Sequence, residues 1–84
     1  MNEETKKLIF NESVPMSLID EFTCKMKALT ATAEKLNSVM RETRSFSVKL
    51  GCVEQMTQLL EKRNEAEADF VKEARKYVKK GGEQ

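Results

Sequence analysis

Apolar residues recur between residues 19 and 40 at intervals that alternate between three and four positions. This spacing lines them up along one side of an α-helix, in the pattern by which one helix packs against another. Ser17, followed three residues later by Asp20, resembles a capping box and places the start of this helix near residue 16 or 17. The predicted contact residues of this first long helix are Ile19, Phe22, Met26, Leu29, Ala33, Leu36 and Met40.

A similar pattern returns after residue 50 and predicts a second long helix, from about residue 48–53 to 79. Met40 and Val53 are 13 residues apart, one short of two heptads, so a straight helix would carry the second set of residues around to another side. A turn near residues 44–51, where polar and apolar residues alternate and a glycine occurs, explains this shift. The predicted contact residues of the second helix are Val53, Met56, Leu60, Phe70, Ala74 and Tyr77.

An alternative keeps the chain helical through the middle. If the row of contact residues moves from Met40 to Val39, the alternating spacing continues without a break into the second half of the chain. One helix of about 60 residues would then be about 90 Å long. We prefer the hairpin because its two arms are nearly equal in length and its middle is poor in helix formers. The row that supports the alternative is Leu36, Val39, Thr43, Phe46, Leu50, Val53 and Leu60.

Residues 1–15 form a separate N-terminal arm, divided from the first long helix by Pro15. Residues 2–10 have the length of two helical turns, with Asn2 as the capping residue. This segment ends in three apolar residues, Leu8, Ile9 and Phe10. These either pack over the long helices or dock on a partner. At the other end, Gly81 and Gly82 stop the second helix, and residues 81–84 form a flexible tail.

The composition supports an all-α domain that associates with other helices. The chain has 84 residues, of which 35% are charged, with one proline and three glycines. Such a profile suits long helices exposed to solvent, and a chain of this size cannot build a large core of its own. A two-helix hairpin also leaves part of its apolar surface uncovered. We therefore expect a homo-oligomer or a hetero-oligomer with other helical subunits.

The residues needed for most catalytic and metal sites are missing from the sequence. There is no histidine, and therefore no Ser–His or Cys–His pair and no imidazole ligand. Cys24 and Cys52 lie 28 residues apart, too far for a zinc knuckle and, on a hairpin, too far along the axis for a disulfide. Neither thiol has a neighbouring group that would activate it. We expect no enzymatic activity, no metal and no cofactor.

The sequence thus predicts a non-enzymatic helical assembly or adaptor module. A net charge of +1 supplies no general attraction to nucleic acid or membrane. No apolar run reaches the length of a membrane-spanning helix, and no signal peptide is recognisable, so we expect an intracellular, cytoplasmic protein. A binder of nucleic acid or another polyanion is the alternative, through a basic face formed by Lys72, Lys76, Lys79 and Lys80.

Overall fold

The computed structural model describes residues 1–78, which contain three helices and no strand. They are α1 (Glu3–Ile9), α2 (Met16–Glu42) and α3 (Phe46–Arg75). The two long helices pack against each other in opposite directions: Phe22 near the start of α2 stacks on Phe70 near the end of α3. The predicted helical hairpin with a short N-terminal helix agrees with this arrangement. The alternative of one uninterrupted helix is wrong.

The connection between α2 and α3 is shorter than predicted. It consists of Thr43, Arg44 and Ser45, and the segment from Phe46 to Gly51, predicted to be part of the turn, is helical. Ser45 begins α3, because its Oγ accepts a hydrogen bond of 3.3 Å from the backbone N–H of Val48. Gly51 is tolerated within the helix, where it costs about 1 kcal/mol relative to alanine.

The starts of α1 and α2 differ in how they are capped. Asn2 caps α1, as predicted, by accepting a hydrogen bond of 2.8 Å from the N–H of Thr5. The capping box predicted at Ser17 is wrong. Pro15 is the N-cap residue of α2 and Ser17 already lies inside its first turn, so the serine cannot act as the cap.

The contact between α2 and α3 uses most of the predicted residues of α2. Phe22 is buried and the other six are partly buried. On α3, Met56, Phe70 and Ala74 are buried or partly buried, as are three residues that the sequence did not assign to the contact: Cys52, Leu59 and Ala66. Cys52 is therefore a packed residue of the hairpin, whereas Cys24 is exposed.

Three residues predicted as contacts of the second long helix are exposed in the single chain. One of them, Tyr77, lies beyond α3, because the helix ends at Arg75 and not near residue 79 as predicted. The exposed fractions are 47% for Val53, 57% for Leu60 and 51% for Tyr77. The hairpin contact on α3 follows positions 52, 56, 59, 66 and 70, so Val53 and Leu60 each lie one residue, or about 100°, away from it. Contacts of these residues with another chain stay a prediction.

The buried core is concentrated at one end of an elongated molecule. It forms where α1, the first turns of α2 and the last turns of α3 meet, and its buried members are Leu8, Val14, Phe22, Phe70, Val71 and Ala74. The chain measures 58 × 20 × 15 Å, with a radius of gyration of 16.8 Å. A compact chain of 84 residues would have a radius of about 12 Å. In residues 1–78, no helix combines the length and the apolar character needed to cross a bilayer.

Candidate protein-interaction surface

Four large apolar side chains are exposed along one side of α3. Phe46 is 73% exposed, Leu50 47%, Val53 47% and Leu60 57%. They are separated by four, three and seven residues, which places all of them on one face of the helix. We call these four residues the exposed α3 stripe. Helix α3 therefore has two apolar rows about 100° apart, one facing α2 and the other facing solvent.

The face of α3 that carries this stripe continues toward the end of the helix, where α1 covers it. The same alternation of three and four positions runs on through Asn64, Glu67, Val71 and Ala74. Val71 is 8% exposed and Ala74 fully buried, both within the core cluster that includes Leu8 of α1. One face of α3 is thus covered by a helix over its second half and uncovered over its first half.

Polar contacts hold α1 on this face. The hydroxyl of Thr5 donates to Oε2 of Glu67 at 2.7 Å, and the backbone N–H of Asn2 donates to the same oxygen at 3.0 Å. These two hydrogen bonds lower the pKa of Glu67 below its ordinary value, the Thr5 bond most strongly, and together they outweigh the opposing effect of burial. Thr5 is fully buried.

An ion pair at the surface joins the same two helices. Nε and Nη2 of Arg75 each donate to the carboxylate of Glu4 at 2.6 Å, in the two-pronged geometry that guanidinium groups favour. The hydrogen bond from Arg75 lowers the pKa of Glu4, and the same contact raises that of Arg75. Both side chains are about half exposed, so the pair contributes little to stability.

The three apolar residues of the predicted docking arm have different environments. Leu8 is buried and Ile9 partly buried against the hairpin, so these two pack over the long helices. Phe10 is 85% exposed. It follows the last residue of α1 and lies two positions, or about 200°, from Leu8, which turns it away from the core. Docking of this segment on a partner stays a prediction, and it depends on Phe10.

The basic face predicted for polyanion binding is only partly within the described residues. Lys72 is exposed, whereas Nζ of Lys76 lies 3.1 Å from a carboxylate oxygen of Glu73. Arg75, between them, is paired with Glu4. Lys79 and Lys80 lie outside the described residues. Basic and acidic groups alternate over the described part of this face, and polyanion binding stays a prediction.

A shallow groove joins the exposed α3 stripe to α2. It has a volume of about 250 Å³ and is lined by Leu29, Thr30, Ala33, Met56, Leu59, Leu60 and Arg63. Because Leu60 belongs both to the groove and to the stripe, the apolar surface extends from α3 toward α2. No three His, Cys, Asp or Glu side chains in residues 1–78 come close enough to hold a metal ion.

Phe46 and Leu50 were missed as surface residues because the sequence pattern placed them in the turn. The signal that identifies them is the continuous row that favoured a single long helix, since that row contains all four residues of the exposed α3 stripe. Comparison with protein-family models, with curated proteins and with solved structures finds no match.

Proposed function

We propose that this chain is a non-enzymatic helical assembly module that docks an α-helix on the exposed α3 stripe. The docked helix belongs either to a second copy or to another helical subunit. The observation that carries the proposal is that one face of α3 is covered by a helix, α1, along Val71 and Ala74 but exposes Phe46, Leu50, Val53 and Leu60 along its first half.

The size of the exposed stripe supports this function. Its four side chains expose roughly 400 Å² of apolar surface, which is within the range of the largest patches on monomeric proteins and is often functional. Burial of one such side chain contributes about 1.5–3 kcal/mol when it is complete. Four half-exposed residues can therefore contribute several kcal/mol to an association.

The shape of the stripe specifies the kind of partner. It is one helix wide, and its spacing of three and four residues matches the spacing of apolar residues on another helix. Glu54 and Glu61 border it on one side, and Lys49 and Arg63 on the other. A strand or an irregular peptide would match neither this spacing nor the straight border of charges.

Site-specific photo-crosslinking tests the proposal. A photoreactive amino acid at Val53 in the full chain, expressed in its native cells, should give a discrete protein adduct. The matched control is the same amino acid at Gln58, which is exposed on another face of α3. Leu50→Glu in the Val53-labelled chain should remove the adduct. Equal labelling from both positions, or none from either, would refute a docking function for the stripe.

A further inference from the structure

We infer that the helix docked on the exposed α3 stripe is the α3 of a second copy, lying antiparallel to the first. This inference rests on the proposed function and names its partner. The contact is symmetric, with the same residues contributed by both copies, and it forms a closed dimer.

The extent of the uncovered face supports an antiparallel pair. It begins at Phe46, directly after the turn, and ends near Asn64, because α1 occupies the face from Glu67 onward. This length is about 27 Å. In an antiparallel pair, the two α3 helices overlap only along this segment. The second half of each α3, which α1 covers, then extends past the turn of the other copy. In a parallel pair, the covered halves would meet, and each α1 would collide with the opposite α3.

The residues of the stripe complement one another in this direction. Where two antiparallel helices meet, a residue near the start of one faces a residue near the end of the other. Leu50 therefore lies against Leu60 of the second copy, and Val53 against Thr57 of the second copy. Phe46 then lies near Asn64 of the second copy, at the edge of its α1. All four exposed residues enter the contact. Beside the stripe, α2 lines the groove with the polar residue Thr30, and Glu34 and Asn37 follow on the same face of α2, so the contact is carried by α3.

The bordering charges oppose this direction weakly. The antiparallel arrangement brings Glu54 close to Glu54 of the second copy, and Lys49 close to Arg63 of the second copy. A parallel arrangement would instead bring Lys49 close to Glu54 of the second copy. Each exposed pair changes an affinity by only about twofold. Displacing α1 would unbury Leu8 and break the Thr5–Glu67 hydrogen bond, a loss of tenfold or more. Exclusion by α1 therefore decides the direction.

Two properties of the dimer follow. Its interface buries roughly 1,000 Å² in total, the lower end for specific complexes, so monomer and dimer exchange with concentration. Because like charges approach one another at its borders, salt screens their repulsion, and the dimer becomes tighter as ionic strength rises. A parallel dimer, with opposite charges paired, would become weaker.

Sedimentation equilibrium of the purified full chain, over a wide concentration range at low and high salt, tests the inference. We expect a monomer–dimer equilibrium that shifts toward the dimer at high salt. Val53→Glu should weaken it tenfold or more, and the control Gln55→Glu, on an exposed residue about 200° around α3 from Val53, should leave it unchanged. Glu54→Gln should tighten it by removing the repulsion at the two-fold axis. Circular dichroism checks that each variant keeps its helicity.

A chain that stays monomeric at every concentration would overturn the inference, as would a dimer unaffected by Val53→Glu. Weakening by Glu54→Gln or by salt would overturn the antiparallel direction. The proposed function fails separately. If the chain is monomeric but Val53 crosslinks to another protein in cells, and Leu50→Glu removes that adduct, the stripe still docks a protein and only the second copy is excluded as its occupant.

Discussion

At the scale of single residues, a partly buried polar contact joins α1 to α3. The Thr5 side chain is fully buried, and its hydroxyl lies 2.7 Å from Oε2 of Glu67 and 2.8 Å from Oδ1 of Asn2. A hydroxyl has one proton to donate, and the carboxylate is the stronger acceptor. Because the contact joins residues 62 positions apart, it holds the N-terminal segment on the hairpin rather than stabilising one helix.

Replacement of Thr5 by valine should destabilise the chain by about 1–3 kcal/mol, because the shape is kept but the partly buried Glu67 carboxylate loses one of its two donors and keeps only the N–H of Asn2. The matched control is Thr32→Val. Thr32 is exposed on α2, and its hydroxyl bonds only within its own helix, to the carbonyl of Ala28 at 3.1 Å. That change should stay within about 0.5 kcal/mol. Urea unfolding measures both, and equal effects would contradict the role of Thr5.

Acid should weaken the fold through Glu67. The pKa of this carboxyl in the folded chain lies below its ordinary value of 4.5, so the unfolded chain binds a proton first as the pH falls. The stabilisation is complete above pH 4.5 and is lost as the pH falls through the folded-state pKa. Glu67→Gln should reduce the slope of stability against pH in this window, and Glu65→Gln, on an exposed residue, should not. If the free energy of unfolding changes with pH by the same amount in the wild type and in Glu67→Gln, this assignment is contradicted.

At the scale of elements, α2 carries one apolar row and α3 carries two. All seven predicted contact residues of α2 are buried or partly buried, because they lie within one uninterrupted helix whose spacing never changes. Leu18, which the prediction did not include, also packs against the core. On α3, the prediction combined residues of both rows. Met56 and Phe70 belong to the hairpin contact, and Val53 and Leu60 belong to the exposed α3 stripe. Ala74 lies on the continuation of the stripe's face, where α1 covers it. Sequence spacing alone cannot separate two rows that differ by one residue.

Leu29→Asp should unfold the hairpin or reduce its stability by several kcal/mol. Leu29 lines the groove between α2 and α3 together with Met56 and Leu59, and a carboxylate there would lose its hydration. An 84-residue chain has only about 4–13 kcal/mol of total stability. Ala28→Asp, on the neighbouring exposed position, should cost less than about 1 kcal/mol. Circular dichroism during thermal unfolding compares them, and similar melting temperatures would contradict the packing of Leu29.

At the scale of the whole molecule, the hairpin is long and its core lies at one end. The core cluster joins α1 to the open end of the hairpin, where Phe22 and Phe70 stack with ring centroids 4.5 Å apart. Toward the turn, α2 and α3 have only each other, and large apolar residues are exposed there. This uneven distribution explains why the uncovered surface lies on the first half of α3 and not along the whole chain.

Small-angle X-ray scattering should reveal this shape. Extrapolated to infinite dilution, the radius of gyration should be close to 16.8 Å. A continuous helix about 90 Å long would give about 26 Å. Leu50→Glu serves as a control, because it lies on the exposed α3 stripe and should leave the single-chain value unchanged. A value near that of the long helix would refute the hairpin.

The sequence by itself determined the helices, the break at Pro15, the cap at Asn2 and the lack of histidine chemistry, because helix propensity, capping and composition act locally. The tertiary structure decided which row of α3 faces α2, that Cys52 is packed in the hairpin, and that α1 covers Val71 but leaves Val53 exposed. These outcomes depend on the rotation of α3 about its own axis. The three-residue turn, the Phe22–Phe70 stack and the Thr5–Glu67 hydrogen bond set that rotation, and each of the last two joins residues far apart in the chain.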